Sequence, residues 1–239
     1  MAVQLMSVVH CYDGDKRLVE EFLPEFKHHG TPILVLSPED RPVEIYDPDV
    51  IFASAGLAGW KGAHTIQRQI KHWAIAEAFG ADWYLLNDSD SVCITPDLPE
   101  YLFYDDLKFW SNVLCHEHEH LPTDQPNFQP PYFCSRRMLR RLLAAAGNAG
   151  GVGEVEFREP HDWGNAIDGF YTYLVMNVLR LPYGDYGPDG ATTWPPDQAD
   201  LYRDARRGAR LIHGVKSRAV MDALKAEYGK EVLREEISR

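Results

Sequence analysis

Short apolar runs and stretches of helical spacing take turns along the first part of the chain. Val3 to Val9 reads as a buried strand, followed by the polar run His10-Cys11-Tyr12-Asp13-Gly14-Asp15. From Lys16 to His28, apolar residues at Leu18, Val19, Phe22, Leu23 and Phe26 predict a helix, which Gly30 stops. Thr31 to Leu36 is a second strand, closed by Ser37-Pro38-Glu39-Asp40. Strand, helix and strand in this order predict a parallel sheet with covering helices. Gly56 to Gly62 is a glycine-punctuated loop. Thr65 to Phe79 is a helix with Ile66, Ile70, Trp73, Ala74 and Ala78 on one side. Trp83 to Leu86 is then a short buried strand between Gly80-Ala81-Asp82 and a polar turn.

Beyond Asp90 the pattern loosens. Phe109 to Cys115 predicts a strand, Leu121 to Pro131 a proline-rich loop, and Arg136 to Ala146 a helix ended by Gly147. Ala166 to Leu179 is helical at least in part, Tyr183 to Gln198 is a surface excursion, and Asp222 to Glu236 is an amphipathic helix of mixed charge. With no repeat, low-complexity tract or interdomain linker, one domain over residues 1–239 is expected. The fold class is α/β: a mixed, mostly parallel, Rossmann-like sheet with helices on both faces.

Composition narrows the functional classes. At 239 residues, 45% hydrophobic and 25% charged, the chain has ordinary globular values and can bury a substantial core. The net charge of −12 disfavours broad contact with a phosphate backbone, so nucleic acid is a disfavoured partner. No apolar run reaches membrane-span length, and Met1 to Val9 lacks the basic start of a signal peptide. Cys11, Cys93, Cys115 and Cys134 are scattered and form no CxxC pair, which implies reduced thiols and a cytoplasmic setting.

The densest chemistry is Asn87-Asp88-Ser89-Asp90, where the apolar run breaks into two carboxylates one residue apart. On extended chain, side chains at i and i+2 point the same way, so both can face one hard cation. The carboxyl end of a strand in an α/β sheet is where ligands usually bind. A divalent ion held there is placed to neutralise a diphosphate. The same residue types also make an ordinary polar turn, so the tetrapeptide alone leaves both readings open.

The Asp-x-Asp resembles the DxD motif of GT-A nucleotide-sugar glycosyltransferases, and other segments fall in that family's order. Gln67-Arg68-Gln69-Ile70-Lys71 opens the helix before the strand, and Leu211-Ile212-His213-Gly214-Val215-Lys216 resembles the late His-Gly-x-Lys element. Pro130 to Arg136 and Asp168 to Tyr171 sit where acceptor-side segments lie. The resemblance implies a GT-A-like domain in which residues 1–95 bind nucleotide-sugar and metal and residues 96–239 shape the acceptor site. It implies Asp90 as direct metal ligand, Asp88 on the ion through water or shared with the ribose, and His213 completing the shell. Lys216 then meets the phosphates. The His213 nitrogen suits Mn2+ better than Mg2+, although a histidine at a strand end is ordinarily structural. His10 and Tyr12 follow the first strand, where the family holds base and ribose, and Asp40 is placed to accept from the base. Lys71 is placed to reach the donor from its helix, but most lysines are solvated surface cations. Asp168 has three readings: the base that takes the acceptor proton, a residue orienting the acceptor, or the N-cap of a helix starting near Gly169.

A rival motif stands at His116-Glu117-His118-Glu119-His120, which contains the HExxH of zinc hydrolases. That motif needs a helix to bring both histidines to one face, whereas Leu121-Pro122 follows at once and extended chain precedes it. The expectation is a metal-dependent transfer of a sugar from a nucleotide donor, UDP the expected nucleotide, to an acceptor that is a glycan, lipid, protein or modified nucleic-acid base. The alternatives are a zinc hydrolase and a non-catalytic nucleotide-binding domain.

Overall fold

A computed structural model of the chain describes residues 4–28, 32–58, 63–95, 97–114, 127–148, 173–185, 198–206, 208 and 210–229. The first half runs β1 (Leu5–His10), α1 (Lys16–Phe26), β2 (Ile33–Ser37), β3 (Val50–Ser54), α2 (Ala63–Ala78) and β4 (Trp83–Asp88). The second runs β5 (Val92–Cys93), β6 (Phe109–Leu114), β7 (Asn127–Ser135), α3 (Arg136–Asn148), β8 (Tyr183–Asp185), α4 (Gln198–Arg206), β9 (Leu211–Ile212) and α5 (Arg218–Tyr228).

Seven strands form one mixed sheet in the order β3-β2-β1-β4-β7-β6-β8. Strands β1 to β4 are mutually parallel where they pair, β7 is antiparallel to both its neighbours, and β8 runs parallel to β6. The order reverses between β1 and β4, and a crevice for ligands opens at the carboxyl ends of the strands at such a reversal. His10 is paired with Asp88 across this junction, so the two polar segments that follow β1 and β4 start side by side.

Alternation along the strands sends consecutive residues to opposite layers. Val8, Leu34, Leu36, Tyr84 and Leu86 pack with Trp73 and Ala76 of α2 and Met138, Leu139 and Leu142 of α3. Val9, Ile33 and Val35 pack with Val19, Phe22 and Phe26 of α1, Leu201 of α4 and Met221 and Leu224 of α5. Helices therefore cover both faces, as expected for this class. Pro24 lies inside α1, and an interior proline costs about 3 kcal/mol. Phe22 and Phe26, each at most 1% exposed, each contribute roughly 1.5–3 kcal/mol of burial, so the helix persists to Phe26.

Several sequence expectations change. The segment Leu121 to Pro131 is not loop throughout: β7 begins at Asn127 and carries a cis Pro130-Pro131 peptide. Its other end pairs with β4 through Leu86↔Tyr132, and that pairing recruits the preceding prolines into extended chain. The excursion expected from Tyr183 opens with β8, and the terminal helix starts at Arg218, four residues before Asp222. Strand β3 escapes sequence reading because it is a largely exposed edge with no buried alternation. On α2, among the side chains described, Arg68, Gln69, His72, Trp73 and Ala76 are buried, while Ala74 is exposed. Its inward face is thus rotated toward polar residues. Among the described residues, no helix is long and apolar enough to cross a membrane, and Cys11, Cys93 and Cys134 are buried.

Candidate metal centre

Strand β4 extends through Asn87 to Asp88, and the chain then reverses in a turn closed by the Ser91 amide on the Asp88 carbonyl at 3.1 Å. The two carboxylates therefore approach each other through a turn, not along an extended strand as the i, i+2 reading supposed. The turn is tied down on both sides. Ser89 Oγ donates to Asp15 Oδ2 at 2.9 Å, and Asn87 Nδ2 donates to Ser7 Oγ at 3.1 Å. Asp88 is left partly open and Asp90 is enclosed, with side chains 41% and 4% exposed.

A distant segment completes the cluster. Strand β9 pairs antiparallel with β5, setting Ile212 opposite Val92, and Ile94 donates to the Arg210 carbonyl at 2.9 Å. The chain then bends at Gly214, whose φ of +90° is readily adopted by glycine alone. The Gly214 and Val215 amides donate to the Asp90 carbonyl at 3.1 and 3.0 Å. His213-Gly214-Val215-Lys216 thereby wraps around one residue. His213 Nε2 stands 3.3 Å from Asp90 Oδ1 and 4.0 Å from Asp88 Oδ2, and Lys216 Nζ pairs with Asp90 Oδ2.

One ligand atom each from Asp88, Asp90 and His213 lies within 4.8 Å of the others. An octahedral ion with ligands about 2.1 Å away spans atoms about 3–4 Å apart, so only a slight contraction is needed. Two carboxylates and one imidazole form a donor set suited to Mn2+ and tolerant of Mg2+. Burial alone would raise the Asp90 carboxyl, but the His213 ring and the Lys216 ammonium outweigh it and bring it down to about 2. Asp90 is therefore a carboxylate, in ligand form, across the physiological range.

The β1 side of the crevice holds a network that the sequence reading did not find. His72 Nε2 faces the Ala55 carbonyl at 2.9 Å and the Ser37 carbonyl at 3.2 Å. Carbonyls only accept, so that nitrogen carries the proton. Burial lowers His72 to about 4 and puts His10 well below its usual value, so both rings are neutral at pH 7. His72 Nδ1 must then accept from His10 Nδ1 at 3.0 Å, and His10 Nε2 accepts from the Gln69 amide at 2.6 Å. His10 is thus enclosed in a relay between α2 and β1.

Tyr12 sits beside it, half-buried. Arg68, 1% exposed, donates to Tyr12 Oη at 2.9 Å and to the Leu57 carbonyl at 2.7 Å, with its guanidinium carbon 5.2 Å from the Tyr12 ring centre. Burial first, then the Asp88 charge, push the Tyr12 phenol up to about 12, against the pull of Arg68. Tyr12 therefore bonds Arg68 and lies within the field of Asp88. Asp40 Oδ1 accepts from the Ala58 amide at 2.7 Å and so anchors the loop that follows β3. Lys71 lies on the exposed face of α2, and the cation that α2 sends toward Tyr12 is Arg68. The signal for Arg68 was present as a polar residue four and eight positions before His72 and Ala76 on one helical face, but an apolar count discards it.

Asp168 to Tyr171 lie outside the described residues, as do His116 to His120. No protein-family model matches the sequence, and no curated protein matches it.

Proposed function

We propose that the protein is a metal-dependent GT-A-type glycosyltransferase, which takes a sugar from a nucleotide donor of the UDP class. The observation that supports this most is the convergence of Asp88, Asp90 and His213 at the carboxyl end of β4, with Lys216 beside them across 126 positions of chain. In this reading Asp90 and His213 hold the ion directly, and Asp88 holds it through water or is shared between ion and ribose. A divalent ion so held supplies Lewis-acid charge for a departing diphosphate. Lys216, with its side chain largely exposed, adds a point charge to the phosphates. Tyr12, held by Arg68, lies just after β1, where this reading puts the base and ribose.

The deciding experiment is calorimetry with UDP, with and without Mn2+, on the unaltered protein and on Asp90→Ala. Metal-dependent UDP binding that disappears in the variant, together with loss of donor hydrolysis by at least about a hundredfold, is the expected result. UDP binding indifferent to both metal and substitution would remove the basis for the assignment.

A further inference from the structure

We propose that Lys216 is an internal counter-cation that occupies the metal-facing charge of Asp90 until an ion and a diphosphate arrive, which couples the two binding events. The inference rests on the transferase reading for its second ligand and on the side-chain geometry for its first.

Both oxygens of Asp90 are engaged: Oδ1 faces His213 Nε2 at 3.3 Å and Oδ2 pairs with Lys216 Nζ. The carboxylate is 4% exposed, and a buried carboxylate without a counter-charge is strongly destabilising. Lys216 meets that need in the ligand-free protein. Its own side chain is 68% exposed, on a flexible stem, so leaving Asp90 costs it little desolvation. A dication approaching Asp90 meets the ammonium as a like charge only a bond or two away.

Charge accounting shows why the second ligand matters. Asp88, Asp90 and Lys216 leave the cluster with one net negative charge, and a dication turns this into one net positive charge. A diphosphate offsets that excess and gives the displaced ammonium a new partner. Metal alone therefore binds against Lys216, and metal with diphosphate binds with its help. The His-Gly-x-Lys spacing makes both positions reachable, because the Gly214 bend returns the chain to Asp90 before Lys216.

The test is calorimetric titration of Mn2+ near neutral pH into the full chain, Lys216→Gln and Lys216→Arg, each with and without UDP, with circular dichroism to check folding. Lys216→Gln should bind Mn2+ alone about tenfold more tightly than the unaltered chain, a change of about 1.4 kcal/mol. The tightening of Mn2+ binding by UDP should shrink by a similar factor, and Lys216→Arg should behave like the unaltered chain. Equal or weaker Mn2+ binding by Lys216→Gln overturns the counter-cation role, even if UDP binding stays metal-dependent and the transferase reading stands. Tighter Mn2+ binding by Lys216→Gln with no UDP binding to any form supports the displacement step, while overturning the coupling and the transferase reading. Absence of Mn2+ binding in all three forms overturns both.

Discussion

The Asp90 carboxylate is held by an imidazole and an ammonium while two backbone amides fix its main-chain carbonyl, and the two side-chain partners explain how a carboxylate survives there nearly sealed from water. The neutral pair His10 and His72 is a different case, since neither ring faces a counter-charge and burial keeps both unprotonated. In the unfolded chain His72 titrates near 6.5, whereas in the fold it titrates at about 4. The unfolded state therefore binds the extra proton first. Stability is complete above pH 6.5, declines as the pH falls toward 4, and loses about 3 kcal/mol from this ring over that window. Urea denaturation at pH 7.5 and pH 4.5 should show the loss in the unaltered protein, and His72→Gln should recover most of it. An identical pH dependence in both would refute the neutral relay. Neither histidine announces this in the sequence, because a tautomer is set by the carbonyls of Ser37, at the end of β2, and Ala55, just after β3.

The short ladder of β5 and β9 brings His213 to Asp90, and two strand residues on each side are too few to hold it alone. Helix α5 supplies the rest. Glu25 on α1, whose side chain is fully buried, accepts from Arg218 Nη1 at 2.9 Å and Lys225 Nζ at 2.8 Å. Ser217 caps the helix by accepting from the Val220 amide at 3.3 Å. Both cations are more than a third exposed, so solvent weakens the pairing. Glu25→Gln should still cost about 1–3 kcal/mol in urea denaturation, because two cations lose a buried partner. Mn2+ affinity should fall in step as the β9 segment loosens. A change under about 0.5 kcal/mol would mean that apolar packing of Met221 and Leu224 suffices. Elements with a clear period were legible before the fold was known: α1, α2, α3, β1, β2, β4 and β6 fall within a few residues of expectation. Those held by partners, β3, β5, β7, β9 and α4, were not, since a two-residue strand or an exposed edge has no period of its own.

Over the whole molecule, the crevice lies at the reversal of strand order between β1 and β4, and both flanks carry site residues. Ligand binding there should stabilise the entire fold, because the β4 turn and the segment after β9 close on each other only in the native state. If the transferase reading holds, UDP with Mn2+ at about a hundred times Kd should add about 2.7 kcal/mol, or roughly 5–10 °C in Tm for a chain of this size. UDP alone, or with a chelator, should shift Tm far less, and an equal shift with chelator present would exclude a metal-linked site. Sequence by itself determined the α/β class and the strand that ends in Asp88, because hydrophobic period is a local property, while Asp90, His213 and Lys216 were grouped as partners by the resemblance of their motifs to the GT-A order. Tertiary structure alone decided that these side chains meet, that a turn and not extended chain aligns the carboxylates, and that Arg68 rather than Lys71 faces Tyr12. Those outcomes depend on the β5–β9 pairing and on the rotation of α2 against the sheet, both set by contacts between residues far apart in the chain.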